Sequence, residues 1–162
     1  MQLLNPKQIQ DKIRRLAMEI MERNTEESEL YMIGINNRGM ELARRLKAEI
    51  EKLASGKLLL WNVRLSPADP MSEPVVFDHD VKLLAGKAVL LIDDVANTGR
   101  TLFYALLPLM EVLPKKIEVA VLVDREHKLF PVQTTYIGLQ LSTTIQDNIL
   151  VEFGGEDKAI LE

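Results

Sequence analysis

The chain has 162 residues, of which 47% are hydrophobic, a net charge of −4 and no cysteine. That suffices for one domain with a sizeable core, and it excludes disulfides and thiolate metal sites. Two histidines, His79 and His127, are too few for a histidine-based zinc cage.

From Asp147 onward, Asp147, Glu152, Glu156, Asp157 and Glu162 stand against Lys158 alone, so this tail carries the whole excess of negative charge. Of the 20 basic and 24 acidic residues, 19 of each remain in the rest of the chain. A protein built to hold nucleic acid shows a basic surplus, so charge disfavours RNA as a partner. The start of the chain reads as neither a signal nor a transit peptide. No apolar run approaches the roughly 18 residues of a membrane span, and a cytoplasmic location without membrane partners is expected.

In chain order, Asn5-Pro6 reads as an N-cap followed by Pro at the first helical position. Ile9, Ile13, Leu16, Ile20 and Met21 then recur at helical spacing. Residues 30–35 form a short apolar run, read as a buried strand. A helix is expected from Gly39 to about Leu53, closed by Ser55-Gly56, and a strand over residues 57–63. Residues 64–80 hold Pro67, Pro70 and Pro74 and no sustained periodicity. A structureless loop of that length inside a compact domain suits a mobile lid. Residues 87–92 are a continuous apolar strand, followed by a turn and a helix over about 100–113. Strands follow at 117–123 and 134–138, with a last one at 149–153. Trp61 is assigned to packing. The Arg14-Arg15 and Arg44-Arg45 pairs are read as solvated helix faces, and the acidic tail as a frayed terminus.

The expected fold class is therefore α/β, doubly wound. A mainly parallel five-stranded sheet carries helices on both faces, with a small hood, in a single domain over 1–162. Ligands of such sheets bind beyond the carboxyl ends of the strands. There the chain places Asp93-Asp94, directly after an apolar strand. Two adjacent carboxylates resist desolvation and need a metal, hydroxyl donors or solvent. Asn97-Thr98-Gly99-Arg100-Thr101 follows and offers backbone N–H groups and hydroxyls to an anion. Carboxylates for sugar hydroxyls beside a phosphate cradle meet the needs of a ribose 5-phosphate.

The run Val89-Leu90-Leu91-Ile92-Asp93-Asp94-Val95-Ala96-Asn97-Thr98-Gly99-Arg100-Thr101 resembles the phosphoribosyl pyrophosphate signature of type I phosphoribosyltransferases. Ile33-Gly34-Ile35-Asn36-Asn37-Arg38-Gly39, with Leu42-Ala43-Arg44-Arg45-Leu46, resembles the pyrophosphate loop of one branch. That branch is the bifunctional pyrimidine-operon attenuation regulator and uracil phosphoribosyltransferase. Val121-Leu122-Val123-Asp124-Arg125-Glu126-His127-Lys128 resembles the same branch. The resemblance implies transfer of ribose 5-phosphate from phosphoribosyl pyrophosphate to a nucleobase, uracil favoured, with Mg²⁺ as cofactor. It implies Asp93, Asp94 and Arg64 as catalytic residues, Asn97 to Thr101 on the 5-phosphate, and Asn36, Asn37, Arg38 and Gly39 on the pyrophosphate. Val123, Asp124 and Arg125 would border the base. Asp93, Asp94 and Asp124 would meet the metal indirectly, through ribose or water. A homodimer or tetramer is expected on the same ground.

The chain also departs from its likenesses. Asn97 stands where 6-oxopurine enzymes carry an Asp that handles a base proton, and Asn is no general base. Arg64 is followed by Leu65-Ser66-Pro67 where the regulator branch has acidic residues. Met18 falls at about the place of a regulator histidine, and Glu126 replaces a Gly beside His127. Two alternatives remain open: a non-enzymatic, nucleotide-responsive RNA-binding regulator, and transfer to another base such as a 6-oxopurine. His127 is read first as a surface residue.

Overall fold

The computed structural model describes residues 1–144 and 146–162. Strand β1 (Gln2–Leu4) leads into helix α1 (Pro6–Arg23). Asn5 caps that helix as expected: its side chain accepts from the Gln8 N–H, and the Gln8 side chain accepts from the Asn5 N–H. Then come β2 (Glu29–Ile35), α2 (Asn36–Leu53), β3 (Lys57–Arg64) and β4 (Val76–Phe77). A 3₁₀ turn at Val81–Leu84 precedes β5 (Ala88–Ala96), and α3 (Arg100–Ala105) runs into a second 3₁₀ turn at Leu107–Glu111. The chain ends with β6 (Lys116–Arg125), β7 (Tyr136–Leu141), β8 (Ile149–Glu152) and β9 (Lys158–Leu161).

The main sheet has the order β4-β3-β2-β5-β6-β7. The pairings from β3 to β7 are parallel, so the five expected strands are present, and β4 adds a short antiparallel edge. Ile13, Leu16, Ile20, Leu42 and Leu46 of α1 and α2 pack on Leu90 and Ile92 from one face of β5. Leu102, Ala105 and Leu109 pack on Val89 and Leu91 from the other. The period-two alternation of β5 thus sends successive residues into two separate cores.

Several expectations on element boundaries change. The strand read over 87–92 continues to Ala96, so Asp93 and Asp94 lie within it, Asp93 opposite Val121 of β6. The helix read over 100–113 stops after six residues. Pro108 has no N–H to donate and its ring crowds the carbonyl four residues back, so the chain tightens into 3₁₀ geometry. Helix α2 starts at Asn36 rather than Gly39, with Asn36 at φ 51°. Residues 64–80 are not wholly structureless, because Val76 and Phe77 pair back onto Arg64 and Val63.

The tail corrects the sequence reading most. Strand β8 does not extend the main sheet; with β1 and β9 it forms a separate antiparallel sheet in the order β1-β9-β8. Asp157 accepts from the guanidinium of Arg45, which also donates to Glu41 at 2.9 Å and lies over the Phe153 ring at 4.7 Å. The acidic terminus is therefore clamped to α2. Arg15, also read as solvated, donates to the carbonyls of Ile137 and Gly138 at 3.0 and 2.7 Å and fastens α1 to β7. Trp61 is buried as expected, edge-on to Tyr31 and stacked on His79 at 4.7 Å.

Candidate active site

The carboxyl ends of β2, β3 and β5 meet under the small sheet. Helix α2 reaches this place because two glycines let backbone approach backbone. A Cβ on Gly34 would lie 2.5 Å from the Cα of Met40, and one on Gly39 would lie 2.6 Å from the Ile92 carbonyl oxygen and 3.3 Å from Asp93 Oδ1. The first turn of α2 thereby sits against the aspartate pair.

Asp93 and Asp94 are buried, at 7% and 9% exposure. The Asp94 N–H donates to Asp93 Oδ1 at 2.9 Å. Burial pushes the Asp93 carboxyl well above the usual carboxylate range; the neighbouring Asp94 charge adds to the rise, and Arg38 opposes it. Such a pair is poised to receive hydroxyl donors or a hard cation.

A cavity of about 440 Å³ opens on this pair. Its wall brings together Asn36, Asn37, Arg38, Arg64, Asp93, Asp94, Asn97 and Thr101, residues that the sequence reading had assigned to three different subsites. Arg64 ends β3 and donates to Asn37 Oδ1 at 2.8 Å. Asn36 clasps Leu65 twice, donating to its carbonyl at 3.0 Å and accepting from its N–H at 3.1 Å. Arg100 donates to the Pro67 carbonyl at 2.8 Å. The first residues of the 64–80 segment are thus tied to the start of α2 and to the turn before α3.

Thr98, Gly99 and Arg100 line a small hollow next to the cavity, with Asn97 and Thr101 shared. Gly99 has φ 85°, which a side chain tolerates poorly. Helix α3 is too short to supply much dipole, so the cradle rests on loop N–H groups and the two threonine hydroxyls. The Thr98 carbonyl accepts from the N–H groups of Leu129 and Phe130, at 2.9 and 3.0 Å.

The expected base region lies at the end of β6. Val123 and Asp124 are 0% and 1% exposed, so neither side chain faces a cavity. Asp124 is taken up by Lys128, whose Nζ donates to Oδ1 at 2.6 Å, with Gln140 near Oδ2 at 3.5 Å. Engaged at both oxygens, it is not part of the wall that Asp93 and Asp94 line. Among the described residues no group of three or more acidic or histidine side chains is placed to hold a metal. Arg125 lines a second cavity, of about 240 Å³, with His127, Lys128 and Asn148. Its guanidinium donates to the carbonyls of Thr144 and Asp147, shaping the approach to β8. His127 is exposed, as expected. Asn148, Ile149 and Leu150 also line the larger cavity. No local pattern marked them, because only the folding-over of the β1-β9-β8 sheet brings them there.

A parallel sheet ending in a buried acidic pair, beside a glycine turn with two threonines and an arginine wall, defines an α/β protein with a site suited to phosphorylated, hydroxyl-rich ligands. Residues 1–156 match the phosphoribosyl transferase domain, and the chain belongs to that family and is a phosphoribosyltransferase. It is 37% identical to the bifunctional protein PyrR of Halalkalibacterium halodurans, over 99% of this chain and 96% of that one. It is 36% identical to the bifunctional protein PyrR of Enterococcus faecalis, over 90% and 85%. Among solved structures it is similar to a hypoxanthine-guanine phosphoribosyltransferase of Bacillus anthracis, with TM-score 0.73 at 21% identity over 86% of this chain and 81% of that one. It is also similar to the hypoxanthine phosphoribosyltransferase of Trypanosoma cruzi, with TM-score 0.76 at 16% identity over 93% and 85%. These two likenesses bear on the fold alone. No helix among the described residues is long and apolar enough to cross a membrane.

Proposed function

We propose that the chain transfers ribose 5-phosphate from phosphoribosyl pyrophosphate to uracil and releases pyrophosphate. The observation that carries this reading is the buried Asp93–Asp94 pair, which shares one cavity with Arg38, Arg64 and Thr101. The choice of uracil rests on the resemblance at residues 33–39, 89–101 and 121–128, and on Asn97 in place of an acidic base.

In the reaction a ring nitrogen of the base bonds to the anomeric carbon. The bond from that carbon to pyrophosphate breaks, its electron pair leaves on pyrophosphate, and the proton of the base nitrogen goes to solvent. Asp93 and Asp94 accept from the ribose hydroxyls, which relieves their burial. The backbone N–H groups of the turn over residues 97–101 and the Thr98 and Thr101 hydroxyls hold the 5-phosphate, so that remote binding energy orients the reacting carbon. Asn37, Arg38 and Arg64 donate to the pyrophosphate as its charge grows. Residues 64–80 act as a lid: Arg64 and Arg100 exchange their bonds to Asn37 and Pro67 for substrate oxygens, and closure excludes water. The donor set fits Mg²⁺, a hard cation that prefers oxygen. Asp93 and Asp94, the carboxylates on the cavity wall, would hold it. When bound, Mg²⁺ neutralises charge on the pyrophosphate.

The test is pyrophosphate release from phosphoribosyl pyrophosphate with Mg²⁺ across uracil, hypoxanthine, guanine, xanthine, adenine and orotate. Turnover with uracil alone is expected. Turnover confined to a purine would refute the base assignment. Asp94→Asn is expected to weaken phosphoribosyl pyrophosphate binding strongly, and unchanged binding would sink the site.

A further inference from the structure

Two asparagines are the residues common to the walls of the 440 and 240 Å³ cavities: Asn97 and Asn148. They arrive from opposite directions, Asn97 on the turn after β5 and Asn148 on the approach to β8. The Asn148 backbone is held by reciprocal bonds with Glu162, at 2.9 and 2.8 Å, so the small sheet presents its side chain from a fixed point. Asn97 Oδ1 is buried without a hydrogen-bond partner among the described residues. An unpartnered buried acceptor is costly, and a ligand donor relieves the cost.

We infer that Asn97 and Asn148 determine base specificity by reading the lactam edge of the nucleobase. The inference rests on the proposed transfer to uracil. If the ribose lies over Asp93 and Asp94 and the base enters the cavity beside Arg125, residues shared by both cavities border the new glycosidic bond. The first base atoms past that bond are the ones they meet. In uracil these are a keto oxygen next to the reacting nitrogen and then a ring N–H. A carboxamide offers the complementary donor and acceptor. Cytosine keeps the keto oxygen but replaces the N–H with an acceptor, which faces an amide oxygen unfavourably. Purines place no keto oxygen beside the reacting nitrogen. The Asn97 side chain thus serves the base rather than the 5-phosphate, the role expected of it from sequence.

The experiment compares calorimetric Kd values for uridine 5-monophosphate, cytidine 5-monophosphate and ribose 5-phosphate. The proteins are the wild type, Asn97→Leu and Asn148→Ala. The wild type is expected to prefer the uridine nucleotide. Each variant should bind it roughly tenfold more weakly, with ribose 5-phosphate changed by less than about twofold and the uridine-over-cytidine preference reduced. Melting of the ligand-free variants checks folding. Should Asn97→Leu fail to fold, Asn148→Ala, at an exposed position, carries the test. Variants that keep the wild-type uridine preference overturn the inference and leave the proposed function standing. Variants that lose ribose 5-phosphate and nucleotide equally also overturn it. A wild type that binds all three ligands equally removes the uracil reading itself, and the inference with it.

Discussion

Replacing Gly39 by Ala tests how closely the site depends on backbone packing. The new Cβ would lie 2.6 Å from the Ile92 carbonyl oxygen, about 0.8 Å short of ordinary contact. That carbonyl cannot retreat easily, because Ile92 sits inside β5 with Gly34 of β2 on one side and Ala120 of β6 on the other. The first turn of α2 must therefore lift away from Asp93, taking Asn37 and Arg38 with it. Alanine gains about 1 kcal/mol of helix propensity over glycine. Overpacking against fixed backbone costs roughly 1–3 kcal/mol, so the net stability change is small or unfavourable. Activity is hit harder, since a displacement near 1 Å at a reacting centre costs on the order of a hundredfold. Pyrophosphate-release kinetics should show kcat/KM down by about that factor, equivalent to roughly 2.7 kcal/mol of transition-state stabilisation. Gly56→Ala is the control: nothing lies within 4 Å of its Cβ position, and about 0.4–1 kcal/mol of stabilisation without loss of activity is expected. A Gly39→Ala protein within threefold of wild-type kcat/KM would refute the packing argument.

Other perturbations follow from charge. Burial raises the Asp93 pKa on folding, so above the unfolded-state pKa this carboxyl detracts from stability; Asp93→Asn should raise the melting temperature of the ligand-free protein by several degrees while abolishing stabilisation by phosphoribosyl pyrophosphate. A lower melting temperature would show that the carboxylate is needed for packing. The hydrogen bond from Arg45 lowers the Asp157 pKa, which gives the opposite sign: its contribution is present above the unfolded-state pKa and is lost as pH falls through the folded-state value. Asp157→Asn should therefore melt below wild type at pH 7, by the equivalent of about 1 kcal/mol, and the gap should begin to shrink below about pH 4 and close once pH is under the lowered folded-state pKa. A gap that persists unchanged there would mean that the ion pair is not its source. Truncating the fully buried Ile13 to Ala should cost about 2–5 kcal/mol in denaturant unfolding, and a cost under 1 kcal/mol would argue that α1 is not integral to the core.

What the sequence made legible was local. The Asn5 cap, the apolar face of α1 and the run from Val89 through Thr101 each announce themselves within a turn or two, because capping, amphipathic spacing and strand-to-turn chemistry are short-range. The parallel order also followed, since alternating strands and helices leave little choice. Contacts across the chain were not legible. Arg45 and Asp157 are 112 positions apart, and nothing near either residue identifies the other. Asp124 looked available because a strand-end carboxylate usually is, and the i+4 Lys128 that occupies it was read as part of a motif. The partner of the short final strand was not legible either, because its sheet depends on β1, whose three residues are too few for a period.

The Thr98 carbonyl, shared by the N–H groups of Leu129 and Phe130, has a thermodynamic consequence. These two hydrogen bonds join the turn over residues 97–101 to the segment beginning at Glu126. A ligand that stiffens one lowers the entropy still to be lost by a ligand of the other. Linkage makes the effect symmetrical: whatever factor the first occupant adds to the affinity of the second, the second returns to the first.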